Sequence, residues 1–136
     1  MTFETTPSDP LEDQAERPLL AAMLKGVRGR CPSCGETKLF AGGLKIQDSC
    51  QTCSEALHHH RADDLPAYLN IFIVGHIVVA MAMILMDAKI FGVWPLVTLS
   101  ASLAVLLSIC LMRPLKGMVV ALQWALRMHG FGGHDD

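Results

Sequence analysis

Four cysteines in two CxxC pairs are the residues of this sequence with the clearest chemistry. Cys31 and Cys34 form the first pair, Cys50 and Cys53 form the second, and fifteen residues separate the pairs. A CxxC turn aims two thiolates at one point, and two such turns complete a tetrahedron around Zn²⁺ at about 2.3 Å. The spacing therefore predicts a four-cysteine zinc site and leaves iron, in a rubredoxin-like centre, as the less favoured metal. Four protein ligands leave no position for a substrate water, so we expect a structural metal.

Disulfide or redox chemistry is the alternative interpretation of these thiols. Disulfides are rare where thiols are kept reduced. A redox-active CxxC usually stands on a βαβ unit, which this segment is too short to hold. Cys110, the fifth cysteine, lies in an apolar run and is interpreted as a small packing residue.

A second group of potential ligands precedes the apolar half of the chain. Imidazole and carboxylate suit divalent zinc, iron or copper, so this group is a candidate second metal site. Three consecutive histidines cannot all face one ion in regular structure, however, and a solvated linker over residues 58–66 is the favoured interpretation. The group consists of His58, His59, His60, Asp63 and Asp64.

His76 is the one histidine inside an apolar run, at a depth near the middle of a bilayer. Ionisable groups at this depth are costly and usually face protein rather than lipid. Haem ligation and proton relay are the functional options, but the second apolar run offers no facing histidine. We therefore favour a hydrogen bond to a partner protein or to a serine of the second run (Ser100, Ser102 or Ser108).

Two apolar runs, residues 67–86 and 90–112, must position these groups. The first is about 30 Å long as a helix, which is the thickness of a bilayer core, and the second, at about 35 Å, is also long enough to cross. Only Asp87-Ala88-Lys89 separates them, so the sequence predicts a two-helix transmembrane hairpin, with the lipid bilayer as its first partner. Bases flank the hairpin at its open end, and the positive-inside rule then places both termini in the cytoplasm. These bases are Arg61, Arg113, Lys116 and Arg127.

The predicted fold is a small zinc ribbon with a short β hairpin, joined to an all-α transmembrane hairpin with flanking interfacial amphipathic helices. The net charge of −2 gives no reason to expect nucleic acid. The acidic N-terminus has no apolar segment of the kind a cleaved signal peptide needs. The remaining predicted segments are a disordered acidic tail (1–17), an amphipathic basic helix (18–30), the ribbon (31–57), and an interfacial helix with a Gly-rich tail (113–136).

Three stretches of the chain resemble the DUF983 family of small bacterial membrane proteins. They are RPLLAAMLKGVRGRCPSCGETKLF, LHHHRADDLPAYLNIFIVGHIVV and RPLKGMVVALQWALRMHGFG, and the resemblance covers about residues 17–132. Members commonly have glycine where Ser54 stands. The resemblance implies a bacterial inner-membrane protein. It also suggests an accessory or assembly role in haem–copper cytochrome oxidase, because members in alphaproteobacteria often lie among genes for that enzyme.

Three functions follow from these observations. The leading hypothesis is a non-enzymatic accessory protein of a respiratory complex, which docks on a larger membrane subunit or on a second copy of itself. The second is metal or haem delivery through the His/Asp group and His76. The third is an enzyme acting on lipid or quinone at the membrane edge, with His60, Asp63 and Asp64 as acid–base groups. No nucleophile–base pair or phosphate loop supports the third.

Overall fold

The computed structural model of the chain describes residues 17–61 and 64–131. It contains three helices and one two-stranded sheet in these ranges: α1 (Leu19–Val27), β1 (Phe40–Gly42), β2 (Lys45–Ile46), α2 (Leu65–Asp87) and α3 (Val93–Ala125). The predicted acidic tail falls almost wholly outside the described residues, as do Asp63 and the last five residues.

The strands β1 and β2 form the short hairpin that the sequence predicts. They pair antiparallel with Phe40 opposite Ile46. Gly43 makes the turn with a φ of 54°, a conformation that glycine adopts without strain. Phe40 and Ile46 are both buried, because the two side chains lie on the same face of the hairpin.

The core of the ribbon is completed by the C-terminal part of α3. Leu39 and Leu57 of the ribbon cluster with Val119 and Val120 of α3, and all four are essentially without solvent exposure. Apolar side chains removed from water in this way supply the main stabilising term of a small domain. The ribbon is therefore built on α3 and not merely tethered to the membrane segment.

The α3 helix differs from the prediction in its length. The predicted second span ended at Met112, with a separate interfacial helix after Pro114, but α3 runs through Pro114 to Ala125. Its 33 residues make a rod of about 50 Å. Proline inside a helix removes one backbone hydrogen bond, a loss that transmembrane helices tolerate where neighbouring groups compensate. Beyond Pro114 the helix contacts α1 and the ribbon, so its apolar face is covered by protein.

The helices α1 and α3 cross at two glycines. A Cβ atom on Gly26 would overlap the carbonyl oxygen of Gly117, and a Cβ on Gly117 would overlap that of Gly26. Only glycine lets the two backbones approach so closely. Ala22 of α1 and Ala121 and Trp124 of α3 continue the contact on one side.

The helices α2 and α3 are each long and apolar enough to cross a membrane. In their most apolar windows only 11% of α2 and 6% of α3 is buried within the protein. A soluble protein would not leave so much apolar surface exposed, and the fold is consistent with a membrane protein. The side-chain amide of Asn70 donates to the backbone carbonyl of Ser108 at 3.3 Å, which joins the first turns of α2 to the middle of α3. The predicted fold class, a cysteine-bearing ribbon with a two-helix apolar hairpin, is confirmed.

Candidate metal centre

Two matching backbone turns present the four cysteines. In the first turn the N–H of Gly35 donates to the carbonyl of Cys31 at 2.9 Å, and in the second the N–H of Ser54 donates to that of Cys50 at 3.0 Å. The residue after each CxxC has a positive φ, 74° at Gly35 and 59° at Ser54. Serine is a less comfortable occupant than glycine in this region. The two turns nevertheless have the same hydrogen bond, so serine at position 54, where family members commonly have glycine, leaves the second turn intact.

Short bridges hold each turn in place. Arg30 pairs with Lys38 across the first CxxC loop, and Ser49 pairs with Ala56 across the second. The hydroxyls of Thr37 and Thr52 hydrogen-bond to each other and so connect the two loops directly. The thiols are therefore positioned mainly by contacts within the ribbon and its entry, and Lys25 of α1 adds a hydrogen bond to the carbonyl of Ser33 in the first turn at 2.9 Å.

The four sulfur atoms form one compact cluster. All four lie within 4.8 Å of one another. Sγ of Cys31 is 3.8 Å from Sγ of Cys53, and Sγ of Cys34 is 3.6 Å from Sγ of Cys50. A disulfide requires about 2.05 Å, so these thiols are not paired covalently. A tetrahedron with metal–sulfur bonds of about 2.3 Å has edges of about 3.8 Å. The cluster therefore fits a tetrahedral metal ion.

The electrostatics of the cluster favour a bound cation. Burial raises the pKa of the Cys31 thiol to about 12. The backbone N–H of Glu36, 3.5 Å from Sγ, lowers the pKa of Cys34. At Cys50 burial acts to raise the pKa, but hydrogen bonds, first among them those from the backbone of Cys53 and Thr52, prevail and lower it to about 6. Four thiolates this close repel one another strongly, and a divalent cation at the centre removes that repulsion.

The histidine group preceding α2 is not gathered around one point. The rings of His58 and His59 are in contact, tilted by 37° with centroids 4.0 Å apart, while Nδ1 of His60 lies 2.8 Å from the carbonyl oxygen of Leu57. Asp64 is exposed at the N-terminus of α2, and Asp63 lies outside the described residues. Within residues 17–61 and 64–131, the four cysteines are the one cluster with metal-ligand geometry.

His76 lies in α2, eleven residues after its start and so about 16 Å along the helix from Leu65. Its Nδ1 is 2.7 Å from the carbonyl oxygen of Phe72, in the preceding turn of the same helix. The side chain is exposed, and the predicted hydrogen bond to a serine of the second span is not formed among the described residues. The structure therefore brings His76 together neither with α3 nor with the other histidines.

Two functional positions were missed at the sequence level. Gln123 is buried, accepts from the N–H of Arg61 at 2.9 Å and donates to its carbonyl at 3.0 Å, and so ties the entry to α2 onto α3. Asn70 is buried between the spans. The available signal was an uncharged amide within an apolar helix, which usually has a specific hydrogen-bond partner.

The comparisons with known proteins give one family. The family model described as "Protein of unknown function (DUF983)" matches residues 40–124. This range includes the second cysteine pair and both long helices. No curated protein and no solved structure matches the chain.

Proposed function

This chain belongs to the DUF983 family of proteins of unknown function, and from that premise we propose that it is a non-enzymatic accessory protein of a larger membrane complex. The ribbon, held by zinc, is the docking module on the water side of the membrane. The α2–α3 hairpin is the anchor and packs against a subunit of the partner. The observation that bears most weight is the position of His76 on an outward face of α2.

The surface around His76 is suited to bind a helix of another protein. Gly75 leaves a shallow groove beside the imidazole, and nothing would lie within 4 Å of a Cβ at that position. Phe72, Val79 and Met83 line the same groove. Small residues let helices approach closely in a bilayer, and a polar side chain among them provides a hydrogen bond. Because His76 bonds to its own helix through Nδ1, its Nε2 remains available to a group on the partner.

The metal centre supports a structural rather than a catalytic ribbon. The four cysteine thiolates would fill every position of a tetrahedral ion, which would leave none open for substrate. Zinc is the proposed ion, since thiolates in this geometry suit it and a ribbon this short depends on a metal for folding.

The proposed location is the bacterial inner membrane with both termini in the cytoplasm. The α1 helix, the ribbon and the last turns of α3 gather at one end of the hairpin, where Arg61, Arg113 and Lys116 also lie. The opposite turn has Lys89 close to Asp87. A reporter that is active only in the periplasm should work when fused near residue 90 and fail at either terminus; a working C-terminal fusion would contradict this orientation.

Haem–copper cytochrome oxidase is the proposed partner, and this part of the proposal rests on the family resemblance alone. It is tested by purifying the tagged native protein in a gentle detergent and identifying what remains bound. Oxidase subunits in defined stoichiometry are the expected result. A haem absorption band or bound copper on the protein alone would instead support the delivery hypothesis.

Substitutions of His76 separate a hydrogen bond from metal or haem ligation. His76→Gln keeps a donor and an acceptor, so partner subunits should still co-purify, whereas His76→Leu leaves the partner's polar group unpaired and should reduce their recovery. A role as ligand predicts equal loss in both variants, because an amide is a poor substitute for imidazole. That second pattern, accompanied by loss of a visible absorption band, would overturn the proposal.

A further inference from the structure

A basic cleft opens where the ribbon, α1 and α3 meet. It encloses about 450 Å³, and its lining includes Arg28 at the end of α1, Lys38 just before β1 and Arg113 of α3. We call these three residues and the space between them the basic cleft. No acidic residue is among the residues that line it. Three positive charges around one cavity, with no carboxylate to balance them, favour an anionic occupant.

The three bases have no internal counterion among the described residues. The ion pair found in this part of the chain joins Arg17 to Glu55, and it involves none of the three. Arg113 is instead held by the face of Phe40, with its guanidinium carbon 5.0 Å from the ring centroid. Such a contact orients the guanidinium and leaves its N–H donors for a ligand. Arginine donors in a fixed fork suit phosphate oxygens in particular.

The basic cleft lies at the boundary between the apolar part of α3 and its charged continuation. Its α3 wall is made by Cys110 and Pro114 together with Arg113. The apolar part of α3 ends at Met112, so the wall spans the change from hydrocarbon to water. Bases at such an end of a span are the groups that meet lipid headgroups.

A second cavity adjoins the basic cleft at Arg113, on a neighbouring side of α3. It encloses about 420 Å³, is lined by Leu44 of the hairpin turn and by Ile109 and Met112 of α3, and shares Arg113 with the basic cleft. We call it the apolar groove. A free anion would not contact the apolar groove. A lipid could occupy both cavities, because its charged headgroup and its acyl chain are joined to each other. The shared Arg113 therefore distinguishes a lipid from a soluble phosphate.

We propose that the basic cleft binds the phosphate headgroup of an anionic phospholipid and that the apolar groove receives the start of one acyl chain. This proposal goes beyond the accessory function and is independent of which subunit the protein docks on. The lipid would occupy the joint between the ribbon and the spans and neutralise the charges that converge there. It would be retained as a specific ligand, in contrast to the exchanging lipids around the hairpin.

The test uses the purified full chain, stripped of lipid in neutral detergent, with binding followed by native mass spectrometry. Phosphatidylglycerol and phosphatidylcholine with identical acyl chains are titrated separately. Phosphatidylglycerol should bind as one tight molecule per chain, and the double variant Lys38→Gln/Arg113→Gln should weaken that binding about 10- to 30-fold. Zinc content should be unchanged, which shows that the ribbon of the variant is folded. The charge-preserving variant Lys38→Arg/Arg113→Lys should recover most of the affinity.

The matched control removes the same charge elsewhere on the same side of the protein. Lys45→Gln/Arg61→Gln should leave phosphatidylglycerol binding within about twofold of the unaltered chain, since neither residue lines the basic cleft. An equal loss in this control would mean that the attraction is spread over the surface, and equal binding of phosphatidylcholine would mean that no anion is recognised. Either result overturns the proposal.

A competition experiment identifies the source of the phosphate. Glycerol phosphate in large molar excess should fail to displace the lipid, because it cannot occupy the apolar groove. Leu44→Gln should weaken lipid binding by a smaller factor than the loss of the two bases. Displacement of the lipid by glycerol phosphate, with Leu44→Gln lacking any effect, would show that the cleft binds a soluble phosphate compound and would contradict the assignment to lipid.

Discussion

The two ends of this molecule are stabilised in opposite ways. At the ribbon end, Leu39, Leu57 and Val120 are completely buried, and a predicted metal ion cross-links the two cysteine turns. At the hairpin end, residues such as Ile84 and Val93 have about 70% of their surface exposed. The ribbon end buries its apolar side chains against one another, whereas the apolar side chains of the hairpin end would be covered by lipid. Substitutions should therefore have large effects at the ribbon end and small ones between the spans.

Loss of a cysteine from the candidate metal site is the largest expected effect. Cys31→Ser should abolish metal binding and unfold the ribbon, because structural zinc contributes about 10–16 kcal/mol to the folding of small metal-dependent domains. Metal content per chain and the amount of protein in the membrane both measure this. Cys110→Ser is the control and should change neither, since Cys110 lies on α3 away from the cluster. Zinc retained after the loss of Cys31 would refute the site.

Substitution at the crossing of α1 and α3 should come next. Gly117→Ala places a methyl group against the backbone of Gly26, and we expect a loss of about 1–3 kcal/mol in the stability of the ribbon end. Temperature-dependent release of zinc to a chromogenic chelator measures it. Gly75→Ala is a matched control, because the site is open and alanine favours the helix by up to about 1 kcal/mol. Equal effects of the two substitutions would contradict the expectation that the ribbon end is more sensitive to substitution than the hairpin end.

Loss of the hydrogen bonds made by Gln123 should have an effect of similar size. Gln123→Leu leaves the N–H and the carbonyl of Arg61 without their partner, which we expect to cost about 1–3 kcal/mol. Gln123→Glu retains the acceptor and loses the donor, so it should lie between leucine and the unaltered protein. The same zinc-release assay ranks the three chains. An effect no greater than that of the exposed Gln51→Leu would show that these hydrogen bonds contribute nothing.

The smallest effect is expected at Asn70, between the spans. Its amide hydrogen bond to Ser108 is long, and its Oδ1 is buried with no partner among the described residues. Interhelical hydrogen bonds in membranes contribute only about 0.6 kcal/mol on average. Asn70→Leu should therefore change the thermal unfolding of the purified protein in detergent by less than Gln123→Leu does. A larger change would mean that the hydrogen bond of Asn70 between the spans contributes substantially to the stability of the hairpin.

The features that were predictable from the sequence are those with local causes. The cysteine spacing, the hairpin around Gly43 and the two apolar runs each follow from neighbouring residues, and each is present. The continuation of α3 past Pro114 was not predictable, because proline after a base is an ordinary signal for a helix end. Burial of Val119 and Val120 depends on the ribbon that covers them, which is a tertiary effect.

The sites with several contributing elements could not be inferred from any one stretch. The basic cleft combines Arg28, Lys38 and Arg113, which come from three different elements, and of these only Arg113 was identified at the sequence level, as a base flanking the second apolar run. The outward position of His76 depends on the rotation of α2 against α3, and the apolar residues around it give no periodic signal of that rotation. For a helix that is apolar on all sides, the sequence does not specify which side meets its neighbour.

The α3 helix runs without a break from the apolar span into the ribbon. A change in the tilt of the span would therefore also move the ribbon. About a dozen residues of the helix, close to 20 Å, lie beyond Arg113. Transmembrane helices change their tilt when the bilayer thins or thickens. A change in tilt of about 10° would move the C-terminal end of α3 sideways by about 3 Å. Bilayer thickness would then set the angle at which the ribbon meets whatever it docks on.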